Sequence, residues 1–176
     1  WGQLGNVINI FDLKPNSSDE GEDDSAMWNT GLAINRVIED VTILFKFLFP
    51  QMEEDALSFI GGIVKMTYAE VGIKADENGM WKSFKDLTTE DMPTFETFNT
   101  CLLRVLKSYQ KMGSGHVEDV KLLSSLVRKM QRILTEWSVY FVGHTTIKLK
   151  DDGRNIISFG TKELFNADQE LKNALY

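Results

Sequence analysis

Apolar residues recur at three- and four-residue steps over most of this chain, the spacing of amphipathic helices. Leu32, Val37, Ile38, Val41, Leu44, Phe45 and Leu48 predict a helix over 27–49, which Pro50 stops. Leu57, Ile60, Val64, Tyr68 and Val71 predict a second over 53–71, with Glu53, Glu54 and Asp55 in its first turn, where the helix dipole favours negative charge. Gly61 and Gly62 interrupt this helix at a cost of roughly 1 kcal/mol each relative to alanine. Close approach of a neighbouring helix is the expected return. Phe95, Phe98, Leu102, Val105, Leu106 and Tyr109 mark a third helix, capped by Thr94 and ended by Gly113-Ser114-Gly115. Val120, Leu123, Val127, Met130, Ile133, Leu134 and Trp137 mark a fourth over 117–140. The class is mainly α, a bundle of about four long helices.

The flanks change period. Residues 7–13 alternate weakly and are rich in β-branched and aromatic side chains, which predicts a strand closed by Pro15. Two more short strands are expected at Thr146–Leu149 and Ile156–Phe159, joined by the turn Asp151-Asp152-Gly153, and a last helix begins at Asp168. Within the bundle, 72–93 is a long connection with an Asn78-Gly79 turn, which Trp81, Phe84 and Leu87 are expected to pin. The chain thus divides into a strand and linker over 1–16, an acidic loop over 17–26, the bundle over 27–141, and a β-hairpin with the start of a helix over 142–176. A helical block bracketed by short flanking β-strands is the pattern of an insertion in a larger α/β domain. The start at Trp1 rather than Met fits a piece of a longer protein.

Composition narrows the chemistry. The 176 residues carry 26 acidic and 19 basic side chains, a net charge of -7, which disfavours broad phosphate binding. The single cysteine, Cys101, excludes an internal disulfide and fits a reducing compartment. No apolar run approaches the roughly 20 residues of a membrane span. The tract Ser17–Ser25 holds five carboxylates but lacks calcium-loop spacing, so a mobile solvated loop is expected there.

No catalytic constellation is visible. His116 reads as an exposed residue at a helix start, and His144 as a turn residue bonding its own backbone. Gly61-Gly62-Ile63-Val64-Lys65 lacks the outer glycine and the Lys-Ser/Thr pair of a phosphate loop. Gly113-Ser114-Gly115 reads as a connector rather than an anion cradle. Lys121, Arg128 and Arg132 fall on one side of the fourth helix. They are the candidate contact to a partner or a neighbouring subunit, against the alternative of a solvated face.

The order of landmarks resembles the conjugative-transfer ATPase family of type IV secretion systems. That family has a strand with Ile-Asn-Pro-Phe-Asp, similar to Ile8-Asn9-Ile10-Phe11-Asp12 here, without the proline. A helical insertion follows, with a segment similar to Tyr68-Ala69-Glu70-Val71-Gly72-Ile73 and a helix start similar to Pro93-Thr94-Phe95. Phe141-Val142-Gly143-His144-Thr145 matches its Phe-x-Gly-x-Thr, and Ile156–Gly160 resembles its Ile-Phe-Asp strand, with Gly160 in place of aspartate. The resemblance implies the helical subdomain of a RecA-like motor that hydrolyses ATP at the cytoplasmic face of the membrane. It implies ATP and magnesium for the parent but no cofactor in this segment, since the nucleotide-binding loop and acidic magnesium motif would lie outside it. Partners would be other subunits and secretion-channel proteins, with nucleic acid met only in the full assembly. No catalytic residue carries over. The alternatives are the related DNA-transfer coupling protein and a stand-alone helical interaction module.

Overall fold

The computed structural model describes residues 7, 9–15, 28–77 and 79–146. The acidic tract, the expected hairpin and the last helix lie outside the described residues.

Four long helices form as the periodicity predicts: α1 (Thr30–Leu48), α2 (Glu54–Glu70), α3 (Phe95–Met112) and α4 (Val117–Thr135). A four-residue helix, α5 (Ser138–Phe141), follows. The side chain of Asn29 caps α1 by accepting the Leu32 N–H at 3.0 Å. Thr94 and Thr97 exchange side-chain bonds at the start of α3. Gly113, at φ +87, ends α3 in a conformation that side chains with a Cβ rarely adopt.

Helices α2, α3 and α4 pack on one another, and α1 lies along α2 at the edge. The core is aromatic: Phe11, Phe45, Phe95 and Phe98 are fully buried and Phe49, Trp137 and Phe141 nearly so. Phe95 meets Phe98 and Phe141 edge-on, with centroids 6.2 Å apart in both pairs. Leu122 and Leu126 are buried alongside the expected stripe of α4.

Four expectations are corrected. The fourth helix does not run unbroken to 140. It stops at Thr135, and the chain turns at Trp137 before α5. The turn lets Trp137 stack 5.7 Å from Phe49 while Phe141 reaches Phe95. The aromatic and β-branched run Trp137-Ser138-Val139-Tyr140-Phe141 is also poor in strong helix formers.

The glycine pair in α2 does not answer a close helix contact. A Cβ at Gly61 would make an ordinary 3.6 Å contact with Ile38, and one at Gly62 would meet nothing within 4 Å. The close approach lies at Gly31, where a Cβ would come within 2.9 Å of the Trp81 indole.

The described part of 7–13 is no strand. Asp12 N–H donates to the Asn9 carbonyl at 3.1 Å, which curls the backbone at Ile10 and Phe11 into a turn. No flanking strand is seen among the described residues. The 72–93 connection is pinned by Trp81 and Phe84, the latter edge-on to Trp28 at 5.2 Å, whereas Leu87 is exposed.

Candidate functional site

The segments that lead into and out of the bundle meet at one place. Thr146 N–H donates to the Val7 carbonyl at 3.1 Å, and Val7 N–H donates to the Thr146 hydroxyl at 3.0 Å. Asn9 N–H donates to the Thr145 hydroxyl at 2.9 Å, and that hydroxyl donates to the Asp12 carboxylate. Threonine side chains therefore take the positions that a ladder would give to backbone groups.

Asn9 is the centre of this clasp and is 1% exposed. Its amide nitrogen donates to the Pro93 carbonyl at 2.8 Å and to Asp12 at 3.2 Å. Its amide oxygen accepts the Phe11 N–H at 3.2 Å. One side chain thus satisfies three groups on two parts of the chain. Pro93 has no N–H of its own, and its carbonyl sits at the start of α3, so this bond fixes the incoming segment to that helix end.

Phe11 carries the second half of the attachment. Its ring lies 5.1 Å from Phe95, edge-on, and 6.4 Å from Tyr68. The Tyr68 hydroxyl, on the last turns of α2, donates to the Phe11 carbonyl at 2.5 Å. Burial and the nearby Asp12 charge hold the Tyr68 phenol well above its ordinary range. Burial also raises Asp12 above 3.8, while the bonds from Thr145 and Asn9 pull the other way. His144 lies at the rim and is exposed. Its ring bonds the Thr89 carbonyl at 2.9 Å, not its own backbone.

Four of the sequence segments singled out above converge here: Asn9 to Asp12, Tyr68, Pro93 to Phe95, and Phe141 to Thr145. The arrangement holds backbone in place.

The basic row on α4 is divided by its neighbours. Lys121 bonds Glu118 at 3.0 Å, which raises its ammonium above the ordinary range. Arg132 bonds Glu136 at 3.0 Å and lies over the rings of Trp137, at 4.8 Å, and Phe49, at 5.6 Å. Arg128 is exposed to solvent. Lys129, not part of the expected row, sits 5.6 Å from the Phe49 centroid.

His116 is half-buried rather than exposed. Its ring is 2.9 Å from Asp119 and edge-on to Tyr109 at 5.3 Å. That carboxylate, with Glu118, fills the first turn of α4 and makes Gly113-Ser114-Gly115 a poor cradle for an anion. Cys101 is buried, and burial raises its thiol. Among the described residues no group of three or more His, Cys, Asp or Glu could hold a metal ion. Nor is any described helix long and apolar enough to cross a membrane.

No protein-family model matches the chain, and no curated protein matches it. Among solved structures it is similar to VirB4 of Thermoanaerobacter pseudethanolicus, with 14% identity and a TM-score of 0.67. The match covers 97% of this chain and 38% of VirB4, so the chain spans well under half of that protein's length. At this identity the likeness is one of fold: the chain is folded as a segment of VirB4 is folded.

Proposed function

We propose that this chain is the helical subdomain of a type IV secretion ATPase, inserted into a RecA-like motor domain. The observation that carries the reading is the clasp. Val7 and Thr146 are hydrogen-bonded to each other, as an insertion requires of the two points where it leaves and rejoins its parent. The likeness to VirB4 and the convergence of four resembling segments on this clasp support the same reading.

In this role the segment does no chemistry of its own. The parent binds ATP and magnesium outside it and drives transfer of DNA or protein at the cytoplasmic face of the membrane. Asn9, Thr145 and Tyr68 join the motor's connecting segments to the ends of α2 and α3, so that the bundle moves with them as one body. The outer face of α4 meets a neighbouring subunit or a channel protein. Arg128 is its leading contact, flanked by Lys121 and Arg132.

The test uses the full-length parent. Thr145→Val and Asn9→Ala should lower ATP hydrolysis and substrate transfer in protein that still folds, and Arg128→Ala/Arg132→Ala should lower transfer. A parent with no phosphate loop ahead of this segment, or clasp variants with wild-type rates, would overturn the proposal.

A further inference from the structure

α1 is amphipathic in an unusual way. Its buried face, with Ile34, Val37, Val41, Leu44, Phe45 and Leu48, packs into the core. The opposite face is not uniformly polar. Leu32, Ile43 and Phe47 lie on it at 52%, 50% and 51% exposure. Between them stand Arg36 and Glu39, both exposed and in no ion pair among the described residues. Leu32, Arg36, Glu39 and Ile43 follow one another at steps of four, three and four, the seam of a two-helix coiled coil.

The seam is complementary to itself in one direction only. Lay a second copy antiparallel, with the two-fold axis between Val37 and Ile38. Arg36 then faces the second copy's Glu39, and Leu32 faces its Ile43. The symmetry repeats both pairs. A parallel arrangement would set Arg36 against Arg36 and Glu39 against Glu39. Opposed charges at the centre thus choose direction and register, and the apolar pairs on either side supply burial. α1 has the edge position that this needs, since its main helical neighbour is α2 alone.

We propose that the outer face of α1 is a homodimer surface, on which two copies of this chain pair antiparallel through Leu32, Arg36, Glu39 and Ile43.

Sedimentation velocity on the 176-residue chain, from about 1 μM to about 1 mM, tests this across the weak end of the affinity scale. The wild type should show a concentration-dependent dimer. Ile43→Asp and Arg36→Glu should each weaken it by roughly tenfold or more, and Arg36→Glu/Glu39→Arg should restore it to within about threefold. All three positions are exposed, and circular dichroism checks that the variants fold. A chain that stays monomeric throughout overturns the proposal. So does a dimer indifferent to Ile43→Asp, or one that the charge swap fails to restore.

Discussion

The Asn9 side chain and the Pro93 carbonyl are 84 positions apart in sequence and 2.8 Å apart in space, in a bond shielded from water. Asn9→Ala would leave the Pro93 carbonyl and the Phe11 N–H without their partner. Each orphaned buried group costs about 1–3 kcal/mol. The expected outcome is a loss in that range or above in urea melts, with a folded bundle remaining. A loss under about 0.5 kcal/mol, the size of an ordinary surface change, would mean that water replaces the amide without penalty.

Tyr68→Phe isolates one bond of the clasp. The ring contact with Phe11 stays, and only the donor to the Phe11 carbonyl goes. A cost of about 1–2 kcal/mol is expected. A stabilised variant would show that this hydroxyl is held against its preference.

Trp137 is 4% exposed, lies against Phe49 and carries the Arg132 guanidinium on its face. Trp137→Ala should destabilise by about 3–5 kcal/mol, as large aromatic-to-alanine core changes do. Arg132→Ala tests the stacked cation separately and should cost no more than about 1–2 kcal/mol. The reverse order of the two effects would refute the assignment of Trp137 to the core.

Gly62→Ala should stabilise the chain. Nothing lies within 4 Å of the added Cβ, and the position is interior to α2. Alanine is favoured over glycine there by about 0.5–1 kcal/mol. A higher midpoint in thermal melts is expected, and a lower one would reveal a need for glycine that the folded structure does not explain.

The pH dependence of the clasp follows from Asp12. Its folded-state value is raised above 3.8, chiefly by burial, so ionised Asp12 is less favourable in the fold than in the unfolded chain. Its contribution to stability therefore rises as pH falls through the raised value toward 3.8, and is lost as pH rises through it. Glu70, held low by Arg104, shifts the other way and cancels in a comparison of variants. Relative to Asp12→Asn, the wild type should gain stability in urea melts as pH falls from neutral toward the ordinary carboxylate range. A flat or opposite difference would refute the assigned environment.

The helices were legible because their apolar stripes repeat over many turns. Leu44, Phe45 and Leu48, or Met130 and Ile133, declare a face whatever surrounds them. The clasp was legible only as a set of motifs. Nothing in Asn9 or Thr145 says that the two side chains would stand in for a ladder, because that substitution depends on contacts more than 130 positions apart. The same is true of His144, whose partner at Thr89 is 55 residues away. The glycines misled for a related reason. Two in a row suggested a tight contact, while the glycine that needs its missing Cβ is Gly31, single and near a helix start. The basic row was drawn from angular spacing alone, which sees neither Glu118 beside Lys121 nor the rings under Arg132.

The bond between Val7 and Thr146 has a consequence for how this body can be rewired. Since these residues already touch, a linker of a few residues could join them without stretching the chain. New termini could then be cut at Gly113-Ser114-Gly115, an exposed turn at the far end of the α3–α4 pair. Such a circular permutant of residues 7–146 keeps every described helix and the core contacts among them, and changes only the order in which they are synthesised. The fold is in this sense indifferent to where its sequence starts, a freedom that suits a module carried as a cassette within another protein.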